Sequence, residues 1–201
     1  MARRLPGTFA LVTLVAAMAC NGPVLVHSPL TGQSRYLCCN VRYEKPIITD
    51  AHYQVGTLIP AGTRVTIVEV TTDSVTFRAE DHPEITIIEK YGRTELPFDE
   101  FASRMFVGTD PRQRLARSAS AVRSRGKRRA RAAQPPPIRR DLVEKGVAEP
   151  GMTREEVIMT IGYPPAHRTP SLSQPEWHYW KTRWHPYTVV FEGDRVACVT
   201  E

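Results

Sequence analysis

Residues 63–70, which read TRVTIVEV, decide the fold class of the first half of the chain. Apolar and polar side chains alternate along this run, and a period of two is typical of a half-buried β-strand. The alternation predicts Val65, Ile67 and Glu69 on one side of the strand and Val70 on the other.

Further strand-like runs lie on both sides of this stretch. Residues 36–41, 74–79 and 84–90 are rich in β-branched and aromatic residues and are separated by turn residues. Short strands with such spacing predict a small antiparallel sheet or barrel. Residues 58–63 (LIPAGT) resemble the loop that enters a strand in bacterial SH3-like barrels. We therefore expect a small SH3-like antiparallel β domain over residues 35–110.

A helix is predicted at the end of this domain. Residues 97–106 (PFDEFASRMF) place Phe98, Phe101, Met105 and Phe106 at helical spacing. The apolar face of such a helix would cover an open edge of the sheet.

The last sixty residues carry the sharpest local signals. Residues 141–145 precede Gly146 and predict a short helix with a glycine stop. A second helix starts at Thr153, which forms a capping box with Glu156, and ends at Gly162. Three strands are predicted after it, at 177–180, 188–191 and 195–199.

This C-terminal region resembles the SmpA/OmlA family, the BamE-like outer-membrane lipoproteins. The resemblance covers residues 141–201 and rests on these positions: Gly151, Met152, Thr153, Glu156, Val157, Ile161, Gly162, Pro164, Trp177, Tyr179, Phe191 and Val196. It implies an ααβββ fold that faces the periplasm. Its best-known member is an accessory subunit of the machine that inserts β-barrel proteins into the outer membrane. The predicted fold class is thus α+β, an SH3-like domain followed by a BamE-like domain.

A strongly basic segment joins the two predicted domains. Residues 111–140 contain eleven basic and no acidic residues, although the net charge of the whole chain is only +6. Such a composition predicts a disordered linker. A solvated spacer, a contact with anionic lipid headgroups and an aberrant reading of a GC-rich gene are the alternatives. Nucleic acid is not an expected partner, because an exported protein does not meet it.

The amino terminus predicts export and lipid attachment. Arg3 and Arg4 precede an uncharged run over residues 5–19 that is too short to span a bilayer as a helix. The run ends in Ala-Met-Ala before Cys20 and resembles a bacterial lipoprotein signal. An ordinary secretory signal with a chance cysteine is the alternative.

The resemblance implies cleavage after residues 1–19 and acylation of Cys20, which would anchor the protein in the lipid bilayer. Residues 20–34 are predicted to be a lipidated tether. Asn21 after the lipid site is compatible with transport to the outer membrane.

Three further cysteines are Cys38, Cys39 and Cys198. Within a strand the adjacent pair would face opposite sides, so at most one of them would meet Cys198. Buried free thiols and one disulfide with an odd cysteine both stay open.

The sequence predicts neither an enzyme nor a cofactor or metal site. It lacks a Gly-x-Ser-x-Gly motif, a glycine-rich phosphate loop and the usual zinc-ligand spacings. The candidate working surface is aromatic. Strand alternation assigns Trp177 and Tyr179 to the core and leaves Trp180 partly exposed. Trp184 and Tyr187 are predicted to be partly exposed loop residues, and these three aromatic residues are the candidate partner-binding residues.

The sequence therefore predicts a non-enzymatic outer-membrane lipoprotein on the periplasmic side. It would act as a binding subunit or accessory in envelope and outer-membrane protein assembly. A peptidoglycan-binding lipoprotein and an inhibitor of a periplasmic enzyme are the alternatives.

Overall fold

The structure, a computed structural model, describes residues 25, 27–90, 98–113 and 140–201. The predicted signal over residues 1–19, the lipid site Cys20, part of the tether and residues 114–139 of the basic segment lie outside the described residues.

The N-terminal unit is built on a six-stranded sheet. Its elements are β1 (Ser34–Leu37), β2 (Val41–Tyr43), β3 (Ile47–Thr49), β4 (Thr57–Ile59), β5 (Arg64–Val70), β6 (Ser74–Ala79), β7 (Glu84–Ile88), α1 (Phe98–Met105) and β8 (Phe106–Val107). The strand order is β3-β7-β6-β5-β1-β8, with β2 and β4 forming a separate pair. All neighbours are antiparallel except β3 and β7, which run parallel.

The C-terminal unit contains two short helices and a three-stranded antiparallel sheet. Its elements are α2 (Arg140–Lys145), α3 (Arg154–Ile161), β9 (Glu176–Thr182), β10 (His185–Glu192) and β11 (Arg195–Thr200). The strand order is β11-β10-β9. The capping box predicted at Thr153 and Glu156 is present at the start of α3.

Each unit has its own apolar core. Ile67, Phe77 and Met105 are fully buried in the first, and Trp177 and Tyr179 are fully buried in the second. Alternation along β9 places these two aromatic residues in the core, as the sequence indicates.

The predicted fold class is wrong. The described part of the chain is mostly β, with 41% strand and 15% helix, and within it there is no clear BamE-like ααβββ arrangement. Helix α2 is only six residues long, and Val143 within it clusters with Ala61 of the N-terminal unit and Met159. It therefore covers the junction of the two units rather than forming a helical layer on the C-terminal sheet.

The N-terminal sheet also differs from the expected SH3-like barrel. Its strand order begins at β3 and ends at β8, and it includes the parallel β3–β7 pair. A β-bulge between Ile67 and Glu69 shifts the alternation, so that Val70 joins Val65 and Ile67 in the core while Glu69 is exposed.

The first predicted strand, at residues 36–41, is interrupted. β1 ends at Leu37 and β2 begins at Val41, with a bend over the residues between them. As a result Cys38 and Cys39 are both buried instead of facing opposite sides.

The two units are joined at the C-terminal end of α3. The carbonyl groups of the last turn of a helix lack intrahelical partners, and a proline four residues on cannot supply an N–H. Pro164 lies four residues after Thr160, and Pro165 lies four residues after Ile161. The carbonyl groups of Thr160 and Ile161 therefore receive no hydrogen bond from those positions.

The N-terminal unit supplies the missing donors. Asn40 Nδ2 donates to the Thr160 carbonyl at 2.9 Å, and Gln54 Nε2 donates to the Ile161 carbonyl at 2.9 Å. The backbone N–H of Asn40 donates to the Met159 carbonyl at 2.9 Å. The helix is thus capped by residues more than a hundred positions earlier in the chain.

Asn40 is the most connected polar side chain at this junction. It is 5% exposed, and its Nδ2 also donates to the Val143 carbonyl at 2.5 Å. Its Oδ1 accepts from the Ala61 N–H at 2.7 Å. A single buried amide therefore holds α2, α3 and the segment after β4 together.

Candidate functional site

A cleft of about 750 Å³ lies between the two units. The N-terminal unit lines it with Asp50, Glu89, Phe98, Phe101 and Arg104, and the segment after α3 lines it with Tyr163, Pro164, Pro165, Ala166, His167, Thr169, Pro170, Ser171 and Leu172. The volume lies within the range of about 300–1,000 Å³ that is typical of ligand pockets, and such pockets favour boundaries between folded units.

Helix α1 provides the aromatic wall of the cleft. Phe98 is buried, and the rings of Phe98 and Phe101 are 5.3 Å apart. Phe101 is half-buried and stacks on His52 at 6.1 Å. The helical spacing that the sequence shows at these positions thus fixes an aromatic surface at the edge of the cleft.

The histidine behind this wall is neutral at physiological pH. His52 is 5% exposed, and burial lowers its pKa to about 4 against the raising effect of Asp50. Its Nε2 atom has no hydrogen-bond partner. A neutral imidazole with a flat apolar face is what the stack on Phe101 requires.

The opposite wall, residues 163–172, is held at several points. The Pro165 carbonyl accepts from the Arg168 and Thr169 N–H groups, at 3.1 and 3.0 Å. Thr169 Oγ1 accepts from the His178 N–H of β9 at 3.0 Å. Residues 163–172 are therefore docked against β9 and contribute a pre-organised surface.

Arg154 anchors the far end of this wall. Its Nη1 donates to the carbonyls of Leu172 and Gln174 at 2.7 and 2.8 Å. Its guanidinium also lies over the rings of Phe191 and Trp177, at 4.2 and 5.2 Å from their centroids. The arginine at the start of α3 thus joins the cleft wall to the core of the C-terminal sheet.

Among the described residues that line the cleft, Asp50 and Glu89 are acidic and Arg104 is basic. Asp50 accepts from the Lys90 N–H at 3.1 Å, and Glu89 lines the same wall. Arg104 is the basic residue on this wall and is paired with Glu100 at 2.8 Å. The cleft therefore suits an apolar ligand that carries positive charge.

An aromatic surface continues from the cleft to β9. His167 stacks on Trp180 with ring centroids 5.7 Å apart, and burial lowers the pKa of His167. Trp184 lies at the turn between β9 and β10, is 76% exposed, and has the Arg183 guanidinium 5.0 Å from its ring centroid. The structure thus leaves predicted binding residues Trp180 and Trp184 accessible, Trp180 being half-buried.

The third predicted binding residue, Tyr187, lies in the core instead of on an exposed loop. It belongs to β10 rather than to a loop and pairs with Tyr179 in the strand register. Its ring is 7% exposed and stacks on Tyr179 at 5.6 Å. Burial raises the pKa of Tyr187, and its position in the core leaves little of it for a partner to contact.

The residues that carried the family resemblance have structural positions. Those in the core of the C-terminal unit are Met152, Val157, Ile161, Trp177, Tyr179, Phe191 and Val196. Gly162 ends α3 with φ 85°, and its carbonyl accepts from Tyr179 Oη at 3.1 Å. Gly151 also has a positive φ, and its N–H donates to the Val196 carbonyl.

The chain was compared with protein-family models, curated proteins and solved structures. None of the three comparisons found a match.

Among the described residues there is neither a candidate metal site nor a helix that could span a membrane. Within these residues, no three His, Cys, Asp or Glu side chains are grouped as metal ligands would be. Among the described helices, none is both long and apolar enough to cross a bilayer.

No sequence motif marks the cleft itself. Asp50 and Glu89 carry no motif, and Arg104 lies on the polar side of a helix that was assigned only to packing. The Tyr-Pro-Pro sequence after Gly162 was the available signal, because aromatic and proline side chains after a helix stop form a stiff apolar surface.

Proposed function

We propose that the protein is a lipid-anchored envelope protein that binds a partner protein in the cleft between its two units. The anchor is acylated Cys20, and the location is the periplasmic side of the outer membrane. The role is that of a binding subunit or accessory in envelope assembly, as the resemblance to BamE-like lipoproteins suggests. Contact of the basic segment 111–140 with anionic lipid headgroups is part of the same proposal.

The observation that carries this proposal is the cleft together with the aromatic surface that extends from it through His167 to Trp180. The cleft has an aromatic wall, a docked proline-rich wall and two carboxylates, Asp50 and Glu89. His167 connects it to Trp180, and Trp184 projects from the same hairpin. Aromatic anchors next to a pre-organised groove are the usual features of protein-binding sites.

The chemistry of the surface defines the partner. An extended segment that combines apolar or proline side chains with lysine or arginine matches the lining, because aromatic grooves bind such segments and carboxylates attract basic groups. Binding through Asp50 and Glu89 should weaken as ionic strength rises.

Site-specific photocrosslinking in cells tests the proposal. A photoreactive amino acid in place of Ala166, which lines the cleft, should capture one envelope protein. The same group in place of Glu44, an exposed residue that does not line the cleft, is the matched control. Capture of the same chain at both positions, or of none at Ala166, would refute the proposed site. Retention of the purified protein on isolated cell-wall sacculi would instead favour the peptidoglycan alternative.

A further inference from the structure

Two neighbouring cysteines touch each other inside the N-terminal unit. Cys38 and Cys39 are 6% and 0% exposed, and their Sγ atoms are 2.7 Å apart. Adjacent side chains in an extended strand leave on opposite faces and cannot make this contact. The bend between Leu37 and Val41 is what turns both thiols toward one interior space.

The surroundings of the pair are apolar. Cys39 Sγ lies 3.7 Å from the thioether of Met105, and the Cys38 N–H donates to the Met105 carbonyl at 2.8 Å. A disulfide is uncharged and needs no hydrogen-bond donor, so it suits an apolar interior of this kind. The third described cysteine, Cys198, is exposed on β11 of the other sheet.

We propose that Cys38 and Cys39 form a vicinal disulfide in the mature protein. This proposal rests on the proposed export, because disulfides form and persist in oxidising compartments. The two S–H bonds break and one Sγ–Sγ bond forms. Two electrons and two protons pass to a disulfide oxidant, either an exported thiol–disulfide oxidoreductase or oxidised glutathione, which is reduced to two thiols. Oxidation takes place while the segment is still accessible, and folding then buries the ring.

The bond would act on the junction between the units. It closes a small ring that includes the peptide bond between Cys38 and Cys39, so it restricts the backbone at the bend. Asn40, the next residue, supplies the hydrogen bonds that cap α3. The disulfide therefore pre-organises the segment that holds the C-terminal unit in place.

Peptide mass spectrometry tests this directly, because trypsin releases both cysteines in one peptide, residues 36–42 (YLCCNVR). The full chain is isolated from envelopes, denatured, alkylated without reductant and digested. We expect this peptide to be two hydrogen atoms lighter than the dithiol and to carry no alkyl group. After reduction it should carry two. The Cys198 peptide should be alkylated in both samples.

A second arm separates this proposal from export. The purified full chain is reduced and unfolded, then refolded in glutathione buffers of graded redox ratio and analysed in the same way. Disulfide formation in oxidising buffers would support the proposed site. If the pair closes in these buffers but is reduced in the envelope sample, the reduced sample counts against export and not against the site.

Two results would overturn the proposal. One is a peptide with two alkyl groups, obtained without reductant from envelopes and from every glutathione buffer. The other is a bond that links Cys38 or Cys39 to Cys198. The Cys39→Ser variant should lose the closed form and carry one alkyl group, whereas Cys198→Ser should leave it unchanged. Both are measured on denatured protein, so the reading does not depend on folding of the variant.

Discussion

Replacement of Asn40 is the most direct test of how the two units are held together. Asn40→Ala leaves the Thr160 carbonyl and the Ala61 N–H without partners, while the Val143 carbonyl keeps the Gly146 N–H at 3.1 Å. A buried polar group without a partner costs about 1–3 kcal/mol, so the two groups together should lower the free energy of unfolding by about 2–6 kcal/mol. That is a large share of the roughly 5–15 kcal/mol of a typical domain.

The assay is equilibrium urea unfolding, followed by circular dichroism and tryptophan fluorescence. Asn40→Asp is the sharper variant, because it keeps the shape of the side chain but removes the two donors. It still accepts from Ala61 but presents a carboxylate to the carbonyls of Val143 and Thr160. We expect it to be at least as destabilising as Asn40→Ala at neutral pH and to recover partly in acid, where the carboxyl is protonated.

Gln33→Ala is the matched control, since this amide side chain is exposed, and its midpoint should stay near that of the wild type. If the free energy of unfolding falls by less than about 1 kcal/mol in both Asn40 variants, the assigned hydrogen bonds are refuted, because even one buried polar group without a partner costs that much.

Further predictions concern four other residues. Burial lowers the pKa of His52 to about 4 in the folded protein, against about 6.5 in the unfolded chain. The unfolded chain therefore takes up a proton first as the pH falls. The free energy of unfolding should keep its full value above pH 6.5 and decrease by about 3 kcal/mol as the pH falls toward 4. His52→Asn should flatten urea-derived stability over that range, whereas a control replacement of the exposed His27 should not. Trp184→Ala should keep the wild-type melting temperature but reduce crosslinked partner several-fold, and equal capture would contradict its role as an anchor. Cys20→Ala should abolish palmitate incorporation and release the protein from membranes on fractionation, and labelling that persists would exclude the lipid site. Thr153→Ala removes the capping box of α3 and should cost about 1 kcal/mol in urea unfolding, and an unchanged midpoint would contradict it.

Local sequence signals predicted the elements that depend on near neighbours. The alternation in residues 63–70 produced β5, and the Thr153–Glu156 capping box with Gly162 set the ends of α3. These features are decided by side-chain period and by hydrogen bonds within one turn, which a sequence shows directly.

The predicted fold class is wrong because contacts between residues distant in sequence decide this part of the structure. β3 pairs in parallel with β7 across almost forty residues, and the bulge in β5 moves Val70 to the core face. Helix α2 packs at the junction because Val143 meets Ala61, a contact that no local pattern encodes. The sequence predicts two separate domains, whereas Asn40 and Gln54 of the first unit donate hydrogen bonds to α3 of the second.

The candidate site was predicted in part. Trp180 and Trp184 were assigned to an accessible surface from alternation and turn position, and both are accessible, although Tyr187 is in the core. The cleft was not predicted, because Asp50 and Phe101 meet the loop at His167 only after the two units dock.

The borrowed cap on α3 has a consequence for the order in which the molecule is made. A chain synthesised from its amino end presents Asn40 and Gln54 before residues 154–161 emerge, so the donors are already available when the acceptor helix forms. A separately produced carboxyl-terminal fragment would lack hydrogen-bond donors from the first unit at that helix end. We expect such a fragment to be prone to aggregation and proteolysis. Synthesis from the amino end thus makes the donors available before the helix whose carbonyl groups need them.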